Sequence, residues 1–344
     1  MATWSTLEGW DGWEGWEGWE GWEGWEGWRS GSPGASGARP AWLARQRSRD
    51  AIVFGSAPAG VHRLRPAPDP LARLSAYARR QVVVMDMLSG VKVGEKTAAG
   101  TLAVSGLRGA PDAGVPAPPA SFEGELAIVE SLNRQRLERA PEIQAQLGFN
   151  PGFWAGIVPL SGRKTPITLE LMAALVMWSS FIAQQAKTRY NLPRPVDLSA
   201  RIHPMIDTPG FSTYPSGHAT QAALVSTLLR ALAVPGLAAD WRAPVESQLT
   251  ELARRIAENR EVAGVHFPSD SRAGLALGEG LLGLLVKPAP TLLLAPPPPP
   301  RRDKKAAAAA APKADAGVAA GLAAARHEGP FAWLWEQAAK EWSA

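Results

Sequence analysis

The sequence predicts an all-α protein, a helical bundle over residues 121–287 with disordered or low-complexity extensions at both ends. Two observations support this fold class. From Ser121 onwards, apolar residues recur at the three- and four-residue spacing of a helix face, as at Leu126, Val129 and Leu137. Elsewhere Gly, Pro and Ala dominate and periodic patterns are largely lost. We therefore expect one helical core and no large sheet.

The predicted bundle contains five helices. They cover residues 121–137, 165–187, 216–229, 241–260 and 270–285. Pro166 suits the first turn of the second helix, and the proline-rich stretch at 191–195 ends it. The second helix is the best candidate for a membrane span, but Glu170 and Gln184 interrupt its apolar run, which favours a buried helix.

The extensions divide by composition. Residues 1–34 hold a Trp-Glu-Gly repeat, 35–120 a Pro-, Gly- and Arg-rich linker, 288–326 a Pro- and Ala-rich linker, and 327–344 a Trp-rich terminal helix. The repeat places tryptophan at every third position, which fits neither a helix face nor a strand face. It is interpreted either as a tract without a fixed fold or as an element for self-association through exposed apolar area.

Two finer predictions concern these extensions. Within the first linker, the runs at 81–88 and 100–104 can pair as a small β-hairpin. The terminal helix can dock on the catalytic domain or anchor a partner, and the sequence leaves both alternatives open.

Composition narrows the classes of function. The chain has no cysteine, which excludes disulfides, thiolate nucleophiles and cysteine metal sites. The net charge is +4, and because the first 28 residues hold acids but no bases, the remainder is more basic and suits anionic substrates. Arginine runs such as that at 45–49 lack interleaved aromatics, so no nucleic-acid partner is expected. No signal peptide is recognised, and we expect a soluble, cytoplasmic protein that is not integral to a membrane.

Three separated segments carry residues suited to holding a phosphate-like oxyanion. Lys187 ends the second helix, and Arg194 follows past a turn that prolines stiffen, so the two cations can clamp one anion. Ser216 and Gly217 open the third helix, where backbone N–H groups and the helix dipole favour negative charge. Several cations placed together repel one another, and this cost is offset only if an anion binds between them.

The same segments contain groups for proton transfer and nucleophilic attack. His218, in the first turn of the third helix, can exchange a proton with a leaving oxygen. Arg260 on the fourth helix can bind two oxygens at once. Asp270 lies four residues after His266, a spacing at which its carboxylate can hold the imidazole N–H. Asp270 can equally be a residue that begins the last helix.

Together the segments resemble the signature of the phosphatidic acid phosphatase type 2 / vanadium-dependent haloperoxidase superfamily. Its pattern is Lys-x6-Arg-Pro, then Pro-Ser-Gly-His, then Ser-Arg-x5-His. The stretches Lys187–Pro195 and Pro215–His218 match the first two parts, and Arg260–His266 matches the third, with Asn259 where the family usually has serine. The resemblance spans roughly residues 120–286 and implies a helical bundle of the acid phosphatase/haloperoxidase type.

The resemblance implies that the matched cations and helix start form an oxyanion cradle. Lys187, Arg194 and Arg260 would bind the non-bridging oxygens, and Ser216 with the Gly217 N–H would complete the cradle. The substrate would then be a phosphomonoester or another small anionic molecule.

The resemblance also implies the catalytic roles. In a phosphatase, His266 would attack phosphorus and form a phosphohistidine, while His218 would protonate the leaving alcohol and then activate water. Asp270 would orient His266, and no metal or other cofactor would take part. In a haloperoxidase, His266 would instead ligate vanadate.

The surroundings of the motifs favour the phosphatase, a metal-independent hydrolase. The catalytic domain is compact, whereas haloperoxidases are usually larger. For the alternative, a vanadium-dependent haloperoxidase that oxidises halide with hydrogen peroxide, Phe211 in the substrate pocket resembles an aromatic of chloride-oxidising relatives. A third interpretation is an assembly or interaction protein that carries an inherited oxyanion pocket, with its Trp-rich ends available for self-association.

Overall fold

The computed structural model describes residues 69–106, 112–287, 325, 326 and 328–343. The chain divides into two compact units, Met1–Leu74 and Ser75–Ala344. In the first unit, the described residues form one 3-10 turn at Leu71–Arg73. The Trp-Glu-Gly repeat lies outside the described residues, as do residues 35–68 and 107–111 of the first linker and 288–324 of the second.

The second unit is predominantly helical, which confirms the predicted all-α fold class. Its helices are α1 (Ala76–Ser89), α2 (Glu123–Leu132), α3 (Arg136–Ala145), α4 (Gly152–Ala155), α5 (Pro166–Tyr190), α6 (Pro195–Leu198), α7 (Gly217–Leu232), α8 (Ala239–Val262), α9 (Pro268–Leu285) and α10 (Pro330–Lys340). In the described part of the chain, strands are limited to β1 (Val91–Lys96), β2 (Leu102–Gly106) and β3 (Ala113–Val115), an antiparallel sheet in the order β1-β2-β3.

The core lies around α7, which packs against α5, α8 and α9. Thirteen of the residues of α7 are buried, because small and apolar residues cover its whole circumference. Helix α3 packs on α8 through a cluster of Ile143, Val262, Ala263 and Val265. All the motif residues lie on these helices or in the loops that join them.

Helices α7 and α9 approach each other closely at two glycines. A Cβ atom at Gly274 would overlap the carbonyl oxygen of Ser216, and one at Gly278 would overlap that of Thr220. Glycine therefore permits backbone-to-backbone contact that a larger residue would block. This contact sets the start of α7 directly beside the start of α9.

The predicted hairpin is wrong in its first strand. Residues 81–88 form part of α1, in which the Ser75 hydroxyl accepts a hydrogen bond from the Ala78 N–H at 3.3 Å. The run of valines is a strand signal, but Val83, Val84 and Met87 share one buried helical face, and burial overrides the local preference. The second predicted strand, at 100–104, overlaps β2, which pairs with β1 and β3 instead.

Two tyrosines join the sheet region to the helical core. The Tyr190 hydroxyl donates to the Gly100 carbonyl at 3.0 Å, and the Tyr214 hydroxyl donates to the Pro116 carbonyl at 2.7 Å. The two rings meet edge to face with centroids 4.9 Å apart. Burial raises the pKa of Tyr190 to about 12, so the phenol remains a donor at neutral pH.

Helix α5 is the candidate membrane span that the sequence indicated, and it is largely buried. By length and composition the segment Pro166–Leu198 could cross a membrane, but 67% of its most apolar window is covered by the protein itself. Glu170 is 7% exposed and is held by Arg79 through two hydrogen bonds of 2.8 and 2.6 Å. A paired charge of this kind is typical of a core helix.

The terminal helix α10 docks on the fold against α1 and α5, the first of the two alternatives for this segment. Phe331, Leu334 and Trp335 are buried. The Glu341 carboxylate accepts hydrogen bonds from the N–H groups of Ile167 and Thr168, both at 2.8 Å. The carboxylate thus caps the start of α5 and interacts favourably with its dipole.

The glycine contact between α7 and α9 predicts that a Gly→Ala substitution on α9 destabilises the protein only where the glycine faces α7. Gly278→Ala should lower the free energy of unfolding by roughly 1–3 kcal/mol, because the new Cβ would also lie 2.8 Å from Ala223 Cβ. Gly283→Ala is the matched control on the same helix, since its Cβ would meet no atom within 4 Å. Urea unfolding measures both; equal stability of the two variants would contradict the close contact.

The cap on α5 predicts that the Glu341 carboxylate contributes more to the stability of the fold than the nearby Glu336 carboxylate does. Glu341→Ala should destabilise the protein by roughly 1–2 kcal/mol, since two backbone N–H groups lose their acceptor. Glu336→Ala, an exposed residue of α10, should change the stability much less. Thermal and urea unfolding of both variants test the prediction, and equal effects would contradict it.

Candidate active site

Lys187 and Arg194 lie against the same aromatic ring. The Lys187 Nζ is 5.0 Å and the Arg194 Cζ 5.2 Å from the centre of the Phe211 ring. Both cations are buried, at 3% and 2% exposed. Cation–π attraction offsets part of the cost of bringing two positive charges together. The structure thus brings the first motif and Phe211 into one cluster.

The turn after α5 positions Arg194. Asn191 adopts a left-handed conformation, with φ of 49°, and ends α5. The Asp197 carboxylate then accepts the Arg194 N–H at 2.8 Å, which fixes the backbone at the start of α6. The direction of the arginine side chain follows from these local contacts.

Backbone carbonyls orient both cations. Lys187 Nζ donates to the carbonyls of Ser212 and Thr213 at 2.9 and 3.0 Å. Arg194 donates to the carbonyls of Phe211 at 3.1 Å and Val265 at 3.0 Å. Since a carbonyl carries no net charge, these bonds fix the geometry of the cations and leave their positive charge in place.

Thr213, His266 and Asp270 form a buried hydrogen-bonded triad. His266 Nδ1 lies 3.1 Å from Asp270 Oδ2 and 3.1 Å from Thr213 Oγ1. The Thr213 hydroxyl also donates to Asp270 Oδ2. The three side chains are 2% exposed or less. The predicted contact between His266 and Asp270 is therefore present in the structure.

These contacts fix the position of the imidazole proton. Thr213 has one hydroxyl proton, and it is donated to Asp270. His266 Nδ1 then faces two acceptors, the carboxylate and the hydroxyl oxygen, so Nδ1 must itself carry a proton. In the neutral ring the lone pair is consequently on Nε2.

Asp270 also stabilises the start of α9, in agreement with the alternative prediction that it begins the last helix. Its Oδ2 accepts the Phe267 N–H at 2.8 Å at the start of α9. Burial raises the pKa of Asp270 to about 6, although Thr213, the Phe267 N–H and the charges of Lys187 and Arg194 all act to lower it. Above that pH the carboxylate can hold the imidazole N–H.

The start of α7 lies beside this triad. Ser216 is fully buried, its Oγ accepts the Ala219 N–H at 3.4 Å, and its own N–H donates to the Asp270 carbonyl at 3.0 Å. Ser216 is thus the N-cap of α7. A Cβ at Gly217 would meet no atom within 4 Å, so there is room next to its backbone.

Arg260 and His218 meet at the C-terminal end of α3. Arg260 Nη2 donates to the Ile143 carbonyl at 3.1 Å and lies 3.5 Å from Gln146 Oε1. His218 Nε2 is 3.1 Å from the Gln146 carbonyl and 3.3 Å from that of Leu147. Helix ends of this polarity attract positive groups.

The two groups of contacts are linked through the backbone. His218 is separated from Ser216 by one residue, and the Val265 N–H donates to the Arg260 carbonyl at 3.1 Å, directly before His266. The motif residues therefore fall into two groups of contacts that the backbone connects. Lys187, Arg194, Ser216, His266 and Asp270 share neighbours in one group, and Arg260 and His218 share Gln146 in the other.

Two residues in this region were missed by the sequence analysis. Thr213 lies between Phe211 and Ser216 but occupies no motif position. Gln146, 3% exposed, follows α3 far from any motif, and its Oε1 accepts the Asn259 Nδ2–H at 2.9 Å. Asn259 also accepts from Arg139 Nη1 at 2.8 Å, so this departure from the family pattern ties α8 to α3.

Comparison with protein families finds a match for the part of the chain that carries the motifs. Residues 168–291 match the family described as PAP2 superfamily, a range that contains all three motifs. The superfamily predicted from the motifs is thereby confirmed for this segment, together with its helical fold. Members of this superfamily are typically phosphatases or haloperoxidases.

Two solved structures show a weak overall likeness to this chain. One is a bacterial vanadium-dependent iodoperoxidase, with a TM-score of 0.35, 20% identity, and 49% of this chain and 52% of that chain covered. The other is a transmembrane PAP2-type phosphatidylglycerolphosphate phosphatase from Bacillus subtilis, with a TM-score of 0.31, 18% identity, and 47% and 84% covered. The chain thus spans about half the length of the iodoperoxidase. No match was found among curated proteins.

The raised pKa of Asp270 predicts a pH dependence of stability. The folded state holds this proton more firmly than the unfolded state, so the free energy of unfolding should fall as the pH rises from 3.8 to about 6. Asp270→Asn should lack this part of the slope, whereas Asp240→Asn, at an exposed position, should keep it. Urea unfolding at several pH values measures the slopes; identical slopes for wild type and Asp270→Asn would contradict the assignment.

Proposed function

We propose that the protein is a phosphoric monoester hydrolase that acts through a phosphohistidine at His266. The observation that carries the proposal is the buried contact of His266 Nδ1 with Asp270 and Thr213, which directs the lone pair of the imidazole to Nε2. A nucleophile of this type needs a partner that fixes its tautomer and stabilises the charge that forms on attack. Asp270 supplies both functions.

In the first step, His266 Nε2 forms a bond to phosphorus while the ester P–O bond breaks. The leaving oxygen takes a proton from His218 and departs as an alcohol. Lys187, Arg194 and Arg260 stabilise the charge on the non-bridging oxygens, and the Gly217 N–H can add a further hydrogen bond. Asp270 stabilises the imidazolium formed at His266.

In the second step, water attacks phosphorus and the P–N bond breaks. His218, now neutral, accepts a proton from that water, and His266 recovers its lone pair. Inorganic phosphate leaves the cradle. The chemistry requires only side chains and water, which is why the proposal includes no metal or cofactor. Among the described residues, no group of three or more His, Asp or Glu side chains is arranged to hold a metal ion.

The same donor set fits vanadate, which makes a vanadium-dependent haloperoxidase the second candidate. Vanadate is an oxyanion that His266 could ligate through Nε2 and that the three cations could hold, and it would supply the chemistry for oxidising halide with hydrogen peroxide. The observation that favours this candidate is Phe211, whose ring lies against both Lys187 and Arg194. The phosphatase proposal is preferred because it uses the tautomer of His266 and a proton donor at His218 without a further component.

We infer that the enzyme acts in solution on a small anionic substrate. Helix α5, the one candidate span among the described residues, is mostly buried, and its Glu170 is engaged with Arg79. An apolar helix so occupied supports a core role rather than a membrane contact.

The proposal predicts that His266→Ala abolishes phosphate release from p-nitrophenyl phosphate, by roughly 10³-fold or more, because no covalent intermediate can form. His203→Ala is the matched control, since His203 is exposed and belongs to no motif. Vanadate should inhibit the wild-type hydrolase, as expected for an oxyanion that binds the same cradle. Full activity of His266→Ala would overturn the mechanism.

A parallel assay separates the two candidates. After loading with vanadate, halogenation of a dye is measured with bromide and hydrogen peroxide. Halogenation that depends on vanadate, in a protein that releases no phosphate, would replace the hydrolase by the haloperoxidase.

A further inference from the structure

A cleft opens beside His218, and its walls come from several elements. Its lining combines the aromatic residues Phe149, Phe153 and Trp154 with His218, Gln221 and Ile256. The cleft is shallow, with a cavity volume of about 20 Å³, and it opens to solvent, so a ligand in it would lie partly outside the protein. It lies on the side of His218 that faces the end of α3, where Gln146 contacts both His218 and Arg260. The cleft is therefore continuous with the site described above.

The aromatic wall is held in place by its own contacts. Trp154 is 3% exposed, and its Nε1–H donates to Ser226 Oγ of α7 at 3.0 Å. The Phe149 ring packs on it with centroids 5.5 Å apart. The Asn150 side chain accepts the Gly152 N–H at 2.9 Å and so fixes the turn between them. A wall ordered in advance binds a flat ligand without a large loss of side-chain entropy.

The polar side chains of the lining are amides, apart from the imidazole of His218. Gln146, Asn150 and Gln221 contribute amides, and Gln221 Nε2 already donates to Ser180 Oγ at 2.8 Å. Among the described residues that line the cleft, none is a lysine, an arginine or a carboxylate. A ligand that carried a second phosphate or a carboxylate into this space would lose hydration without gaining an ionic partner. An uncharged aromatic group would instead pack against the three rings.

We propose that this cleft binds the leaving group of the substrate and selects phosphate monoesters of uncharged aromatic alcohols. The inference rests on the proposed hydrolase function, in which His218 protonates the leaving oxygen. Because His218 forms part of the wall, an ester oxygen beside it directs the carbon body of the alcohol into the cleft. The aromatic residues then set specificity, while Lys187, Arg194 and Arg260 hold the phosphoryl group.

Binding of non-hydrolysable phosphonates tests the cleft independently of catalysis. Benzylphosphonate, methylphosphonate and phosphonoacetate share the phosphonate and differ in an added ring or carboxylate. Isothermal titration calorimetry should give a Kd for benzylphosphonate at least roughly tenfold lower than for the other two. Equal affinities, or tighter binding of phosphonoacetate, would overturn the inference.

Variants locate the effect in the cleft. Phe149→Ala and Phe153→Ala remove aromatic wall while leaving the core intact, because both residues are only partly buried. Each should weaken benzylphosphonate binding roughly fivefold or more and leave methylphosphonate binding unchanged. Leu137→Ala, at a position that is 94% exposed, is the control. A preference that persists in both phenylalanine variants would place the aromatic group elsewhere and overturn the inference.

Measuring the hydrolysis of phenyl phosphate alongside phosphonate binding shows whether the aromatic cleft or the proposed hydrolase function fails. Benzylphosphonate preference without phosphate release from any monoester would overturn the proposed reaction and leave the aromatic cleft standing. Phosphate release without benzylphosphonate preference would overturn the cleft alone.

Discussion

The close packing of α7 on α9 is the constraint on which the site depends. Gly274 and Gly278 allow the two backbones to touch, and the Ser216 N–H reaches the Asp270 carbonyl across this contact. The start of α7, which carries the second motif, is therefore fixed against the start of α9, which follows the third motif. Backbone packing has little freedom, so it holds the spacing more firmly than side-chain contacts alone could.

Within that frame, neutral groups control the direction of charged ones. Carbonyl oxygens orient Lys187 and Arg194, and the end of α3 orients Arg260. Asp270, whose charge is close to these cations, is engaged with His266 and Thr213. The region consequently retains positive charge in a buried setting, where electrostatic attraction to an oxyanion is strong.

The sequence predicted the parts of the fold and site that depend on local pattern. Apolar spacing located α2, α5, α7, α8 and α9, and motif spacing located the cations and histidines, whereas α4, α6 and most of α3 were not predicted. It missed features that depend on tertiary contact. The valines of α1 suggested a strand because local propensity carries no information about their buried face. Thr213 and Gln146 are ordinary in sequence, and only the folded chain brings them to His266 and Arg260.

The docking of α10 has a consequence for how the chain can vary. Glu341 and the buried face of the helix hold it against α5, and Ala325 pairs with Val286 beside the end of α9. Removal of the terminal helix would uncover apolar surface on α5, the helix that carries Lys187. Shortening of the chain at this end is therefore constrained by the same core that positions the first motif.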